Sequence, residues 1–498
     1  MRQTRIRTAW GMLGILFVFA GTAPALGNEA AKPDYLQIVV SYADALIEQG
    51  RDTYGEVHSP LFATTLDRKT LRLFEGDDLE RIVNIARVDW GIRPHDRMLT
   101  GANPMHDQNL YQLLYALSTV TGNNRYSEEA DKTLKWFFQH CRSENTDFFA
   151  WGEHVGWDFY TETIIDKQGG KTHEYFRPWA LWERSYQLAP DACGKFALGV
   201  WEHQIGDPET GNFSRHARWD IPGPGLDSEY PRHGGFYIDT WAHAYAQTKS
   251  PVYLKAIETL LDYFDNRRSP QSGAIPAESD ERSKGKTIWP NSNLSLAVDL
   301  WNSAGRVPED LAEKMRHSAL KTDEVFLKIG HDLSPNGRGF VTTGHTDTLE
   351  PSGYSRLWAT GYGEATDAAV ADLCLLRYRQ IEGEGYKRLI LDTAVRYLNS
   401  EPFIEFPVYP GTLGDVILLM LGAHTITGER KYLDRADHFA QQAIELFLPD
   451  GSPLPKATSK HDHYEAITRA DTMMMALLKL WITENDPTLN VCLIYNDR

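Results

Sequence analysis

Apolar positions recur along this chain at helical spacing, in paired blocks. One apolar block ends, a short polar turn follows, and a second block opens on a tyrosine. The pattern covers 109–120 with 126–138, 236–247 with 253–264, 365–380 with 386–398, and 414–426 with 432–447. Within the second blocks, Tyr126, Ala130, Leu134 and Phe137, and likewise Tyr432, Ala436, Phe439 and Ala443, repeat every three to four residues, the spacing of one helix face. Two looser pairs fit the same rule, 178–188 with 190–203 and 293–303 with 308–329, and a last apolar helix is predicted over 466–483.

Short turns make neighbouring helices antiparallel. Each hairpin has one apolar face that it cannot bury alone, and closing a ring covers it. The predicted fold is therefore all-α, an (α/α)6 or (α/α)7 toroid, with an open solenoid as the alternative. The connections between hairpins are long and rich in Gly, Pro, Trp and His, namely 148–177, 206–235, 267–293 and 332–362. Long ordered loops in a compact domain usually carry function, so they are expected at one end of the ring, shaping a cleft.

The N-terminus alters the reading of location. Arg2, Arg5 and Arg7 precede an apolar run over 11–20 and the small-residue stretch Ala23-Pro24-Ala25-Leu26-Gly27. That is the layout of a secretory signal peptide over 1–27, leaving 28–498 as one catalytic domain of a secreted or periplasmic protein. The run is too short for a comfortable transmembrane helix, so no membrane insertion is expected after cleavage.

Charge narrows the partners. The formal charge of −17 becomes −20 once the three arginines leave with the signal. Such a surface disfavours nucleic acid and anionic membrane, while a local basic cleft could still bind an anionic sugar. The 14 Trp and 23 Tyr suit a carbohydrate cleft or the core of a large helical protein. Cys141, Cys193, Cys374 and Cys492 match no zinc spacing. With no His-Glu-x-x-His and no calcium loop, neither a metal nor a cofactor is expected.

Candidate chemistry gathers in a few stretches. His106 precedes an apolar helix that Asp107 could cap. Trp151-Gly152-Glu153-His154 reads as a sugar subsite with an aromatic platform, or as a buried strut. His173 and Glu174 suit a carboxylate-oriented imidazole, or the first turn of a helix capped by Thr172. Arg215-His216 and Arg232-His233 flank one loop and reverse the local sign of charge, which suits a carboxylate or sulfate. Ion pairing with Asp220, Asp227 and Glu229 is the plainer account. Gly234-Gly235 would let a ligand approach the backbone. Tyr237 stands close to Arg232 and His233, cationic neighbours that a phenol needs to act as a base. His243 reads as core.

The tyrosine-led hairpins, the export signal, Trp151-Gly152-Glu153-His154, Phe213-Ser214-Arg215-His216 and Pro231-Arg232-His233-Gly234-Gly235-Phe236-Tyr237 together resemble secreted (α/α)-barrel polysaccharide lyases, alginate and glucuronan lyases among them. The resemblance implies β-elimination on a uronic-acid glycan. It puts the Tyr role on Tyr237, the partner base on His233 or His216, and carboxylate binding on Arg232, Arg215 and Glu174. From their own stretches, His173, His154, Glu153, Trp151 and His106 are read as substrate-binding candidates beside these. The Asn-His pair of several such lyases is absent. A glycoside hydrolase on the same barrel would instead use two carboxylates from Glu153, Asp158, Glu174, Asp239 and Glu364, and a glycan-binding protein would need only the aromatic groove.

Overall fold

The computed structural model describes residues 32–85, 92, 96–166, 174, 178–216, 218–223, 225–279, 285–361, 363–489, 491 and 493. Fifteen α-helices lie among them, all within the compact unit Tyr35–Arg498. The predicted signal segment and Cys492 lie outside the described residues.

Six hairpins follow the predicted pairs: α3 (Gln108–Thr121) with α4 (Arg125–His140), α5 (Trp182–Leu188) with α6 (Pro190–Gly199), α7 (Pro231–Thr248) with α8 (Pro251–Asn266), α9 (Pro290–Ala304) with α10 (Glu309–Lys328), α11 (Asp367–Ile381) with α12 (Glu384–Tyr397), and α13 (Pro410–Thr427) with α14 (Arg430–Phe447). A seventh pair joins the two ends of the fold. α15 (Ala470–Asn485) packs on α1 (Tyr35–Glu48), a helix that the hairpin pattern did not predict. α2 (Gly76–Val83) is a short amphipathic helix with one buried residue, Ile82.

Inner and outer helices differ in sequence for a physical reason. α13 buries every position from Pro410 to Ile417, as a helix lining the inside of a ring must. α14 buries only Tyr432, Leu433, Ala436, Phe439, Ala440, Ala443 and Phe447, a single stripe against α13. Around the ring, α7 packs on α9, α9 on α11, α11 on α13, α13 on α15, and α15 on α3. Between α3 and α7 the wall continues through α4, α5 and α6, with Trp179 against Tyr111 at 6.3 Å between ring centres. The structure is thus the expected all-α barrel.

Several boundaries move. The last helix begins at Ala470, and Ala466–Thr468 form a short 3-10 turn before it. α6 ends at Gly199 and runs into a π turn, Val200–Gln204. Asp107 occupies the N-cap position of α3, yet its side chain makes no capping hydrogen bond. Among the described residues, ten short strands trim the loops. β1 (Thr65–Leu66) pairs with β10 (Tyr464–Glu465), tying an early loop to the last one. β3 (Val155–Asp158) pairs with both β2 (Gly101–Ala102) and β4 (Thr163–Asp166).

Gly234 and Gly235 serve packing and not ligand approach. A Cβ on Gly234 would lie 2.2 Å from the Phe264 ring of α8, and one on Gly235 would lie 2.5 Å from Asp299 of α9. Cys141, Cys193 and Cys374 are buried free thiols. Among the described residues, no helix is long and apolar enough to cross a membrane.

Candidate active site

A cavity of about 400 Å³ opens at one end of the barrel. Its wall is built from the starts of six inner helices. His106 stands just before α3, and Arg232 is in the first turn of α7. Asn291 and Ser292 open α9, Ala365 and Ala369 flank the start of α11, Gly411 and Thr412 open α13, and Thr468 and Arg469 precede α15. Glu153, Glu174, Ala359 and Gly361 complete it from the long connections, with Asp96 and Tyr409.

This placement has an electrostatic consequence. A helix N-terminus carries unpaired N–H groups and about half a positive charge. α3, α7, α9 and α13 have no acidic residue in their first turns. Proline opens α7, α9 and α13, where the missing N–H costs nothing. The residue before each is aromatic: Tyr230, Trp289 and Tyr409.

Glu174 is the hub of the best-connected cluster. His216 Nε2 lies 2.6 Å from its Oε1, and Arg215 Nε donates to the same oxygen at 3.1 Å. His233 Nε2 stands 3.8 Å from Oε2. Burial alone would raise the Glu174 pKa. The hydrogen bond from His216 and the neighbouring charge, Arg215 included, overcome it and hold the carboxyl well below the usual range. Arg215 also donates to Ser228 Oγ at 2.6 Å and to Glu278 at 3.2 Å, and its guanidinium stacks 3.7 Å from the centre of the Tyr230 ring. Arg232 reaches the same ring at 5.9 Å. Burial, then the charge of Arg232, pushes the fully buried His233 well below the ordinary imidazole range, so it is neutral.

A second cluster joins Asp96, Glu153 and His154. His154 Nδ1 is 2.9 Å from Asp96 and its Nε2 is 3.1 Å from Glu153. Burial pulls its pKa down, but the two carboxylates win and raise it to about 9. At neutral pH the group is an ion-paired imidazolium. Its three ligand atoms lie within 4.8 Å of one another, so the same triad could hold a divalent cation if the proton left. The sequence motifs had pointed to no metal. Gly152, with φ of 128°, lets this loop approach Glu174: a Cβ there would stand 3.1 Å from the Glu174 carbonyl oxygen, which itself accepts from the Glu153 N–H at 3.2 Å.

His106, Glu153, Glu174 and Arg232 therefore meet at the cavity, with His154, Arg215 and His216 bonded or paired to that wall. His233 is packed behind Glu174 with no exposed surface. Trp151 is no sugar platform. It is wholly buried among Phe137, Phe149, Trp179 and Phe196. Tyr237 also falls away from the cavity wall. Its ring packs on Phe213 and Trp241, its hydroxyl has no hydrogen-bond partner among the described residues, and burial pushes the phenol pKa far up. His243 is buried, as read, and burial lowers it to about 3. His173 lies outside the described residues. The sequence reading missed Tyr409 and Arg469. The repeated aromatic-Pro pair before an apolar block was the signal for Tyr409, whereas Arg469 was hidden inside a helix predicted to start at 466.

Residues 77–255 match the model of a family described as periplasmic pectate lyase. The matched segment contains all eleven residues given roles in the lyase reading of the sequence, but not Glu364, Tyr409 or Arg469 from the other side of the cavity. Among solved structures, the chain is similar to an unsaturated glucuronyl hydrolase from a Bacillus species, at 11% identity over 90% of this chain and 96% of that one, with a TM-score of 0.46. It is also similar to a cellobiose 2-epimerase from Bacillus thermoamylovorans, at 7% identity over 90% and 99%, with a TM-score of 0.44. A third is an α-1,6-mannanase from a Salegentibacter species, at 10% identity over 90% and 98%, with a TM-score of 0.43. The family matched is a pectate lyase family; the likeness to alginate and glucuronan lyases rests on the motifs alone.

Proposed function

We propose that this chain is an exported polysaccharide lyase that cleaves a uronic-acid glycan by β-elimination, with pectate as the first substrate to test. One observation carries the reading. In a strongly acidic protein, four helix N-termini with no acid in their first turns and Arg232 converge on one cavity, and the segment that supplies Arg232 matches a pectate lyase family. Positive ends of dipoles with a guanidinium suit a carboxylate.

Elimination needs the C6 carboxylate neutralised, the C5 proton removed and the O4 leaving group protonated. Arg232 is assigned the carboxylate. His216 is assigned the base. If its Nε2–H is donated to Glu174, the lone pair on Nδ1 takes the C5 proton as the C4–O4 bond breaks and the C4–C5 double bond forms. The imidazolium so formed is then the nearest acid for O4. His216 takes the place of Tyr237, whose phenol is held neutral by burial that pushes its pKa well above the ordinary value.

A hydrolytic reading keeps one argument: Asp96, Glu153, Glu174 and Glu364 all reach the cavity. Incubation with polygalacturonate, alginate and glucuronan separates the two. New ultraviolet absorbance from the C4–C5 double bond is the expected result. Reducing ends appearing without absorbance would replace elimination by hydrolysis.

A further inference from the structure

Opposite the matched segment, the cavity wall contains a residue placed by three separate devices. Arg469 lines the cavity at the N-cap of α15. Its backbone is left-handed, with φ of 68° and ψ of 42°, a region costly for any residue with a Cβ. Strain of this kind persists only where the surroundings impose it, and it concentrates at ligand sites. Gly411, in the first turn of α13, makes the room: a Cβ there would lie 2.5 Å from the Arg469 Cβ and 3.0 Å from its Nε. Asp415, buried one turn further along α13, takes the guanidinium as a fork, with Nη1 donating to Oδ2 at 3.1 Å and Nη2 to Oδ1. A strained backbone, a missing side chain and a buried carboxylate together fix one arginine at the cavity, beside Thr412 and Tyr409.

We propose that Arg469, oriented by Asp415 and admitted by Gly411, is a second carboxylate anchor, which binds the acidic group of a sugar other than the one held by Arg232. The inference rests on the acidic-glycan reading above and extends it: the substrate carries carboxylates on at least two sugar units. Arg232 opens α7 and Arg469 caps α15, with α9, α11 and α13 between them around the ring, so each is given its own carboxylate. The α13 N-terminus adds its dipole to the Arg469 side.

The test measures binding of a galacturonate trisaccharide and its methyl ester by calorimetry, in a His216→Asn background that blocks turnover. Arg469→Asn removes the charge yet tolerates the left-handed backbone; Arg469→Lys keeps the charge. The Asn variant is expected to lose about tenfold or more in affinity for the acid and little for the ester, with Lys recovering part of the loss. Combining it with Arg232→Gln should multiply the two losses, as independent sites do. An Arg469→Asn variant that melts like its parent and binds the acid equally well overturns the proposal. So does a double variant no weaker than Arg232→Gln alone, and so does a parent that binds no acidic trisaccharide. If the Asn variant does not fold, Gly411→Ala, which displaces the guanidinium, is read in the same way. The lyase reading fails separately, through absent ultraviolet product in the unmutated protein while the binding result stands.

Discussion

At the scale of single residues, proximity to a cavity and burial beneath it have opposite consequences. His216 is about one-third exposed and bonded to Glu174, so a change there should affect chemistry more than folding. His216→Asn is expected to lower kcat on polygalacturonate by about a hundredfold or more, with an unchanged melting temperature. Tyr237→Phe should do the reverse. It removes a buried hydroxyl that has no partner among the described residues, so activity should persist and stability should rise by up to about 1 kcal/mol; a loss of activity on that substitution would restore the phenol to the mechanism. Glu465 behaves differently again. It is buried and takes a two-pronged bond from Arg97 at 2.8 and 2.9 Å, with His463 at 2.9 Å. Burial raises its pKa, but these partners win and bring it down to about 2. A folded pKa below the unfolded one gives stability that is present above pH ~4.3 and lost as pH falls towards about 2. Glu465→Gln should cost about 3–5 kcal/mol near neutrality by removing the buried countercharge of Arg97, and should flatten that acid limb in melting curves. The residue types at the site were legible because Arg-His pairs stand out in an acidic chain. Which of them face the cavity was not, since Trp151 and Tyr237 differ from true wall residues only in which side of an inner element they occupy.

At the scale of elements, the hairpin grammar was readable because an outer helix has one buried stripe and an inner helix has nearly none exposed. Where a tyrosine opens an outer helix, as on α4, α8, α12 and α14, it is a packing residue: Tyr126, Tyr253, Tyr386 and Tyr432 are all buried. α1 escaped notice because its hairpin partner, α15, lies at the other end of the chain, and no local turn joins the two. Its attachment is specific nonetheless. The Tyr35 hydroxyl donates to Asp437 of α14 at 2.6 Å, and Tyr42 and Tyr464 share a hydrogen bond at 3.1 Å. The paired glycines of α7 were also misread from sequence alone, since glycine permits both a ligand and a neighbouring helix to come close. Their packing role makes a prediction. Gly234→Ala drives a methyl group into the rigid Phe264 ring and should cost about 1–3 kcal/mol, seen as a lower denaturant midpoint. If the glycine instead served a ligand, KM would change and the midpoint would not.

At the scale of the whole molecule, two fields of opposite sign act on an acidic glycan. The chain carries a formal charge of −17, which repels a polyanion at long range. The cavity sets Arg232, Arg469 and four helix N-termini free of first-turn acids beside Asp96, Glu153, Glu174 and Glu364, and the arginines and helix ends are the groups that attract it at short range. The ring geometry produces this contrast, because antiparallel hairpins point every inner helix the same way and so bring like dipole ends together at one mouth. Salt distinguishes the two fields by distance. At about 0.01 M the screening length is near 30 Å, so the whole acidic surface is felt; at 0.1 M it is near 10 Å, and at 1 M near 3 Å. Modest salt should therefore remove the repulsion first and leave contacts inside the cavity largely intact. High salt should then weaken the anchors themselves. The expected result is a kcat/KM for polygalacturonate that rises and then falls with sodium chloride, with a maximum near ~0.1 M. A neutral methyl-esterified substrate should give a flat profile. A kcat/KM that only falls would mean that the acidic exterior never reaches the substrate, and one that only rises would mean that the arginines and helix ends at the mouth contribute nothing to binding it.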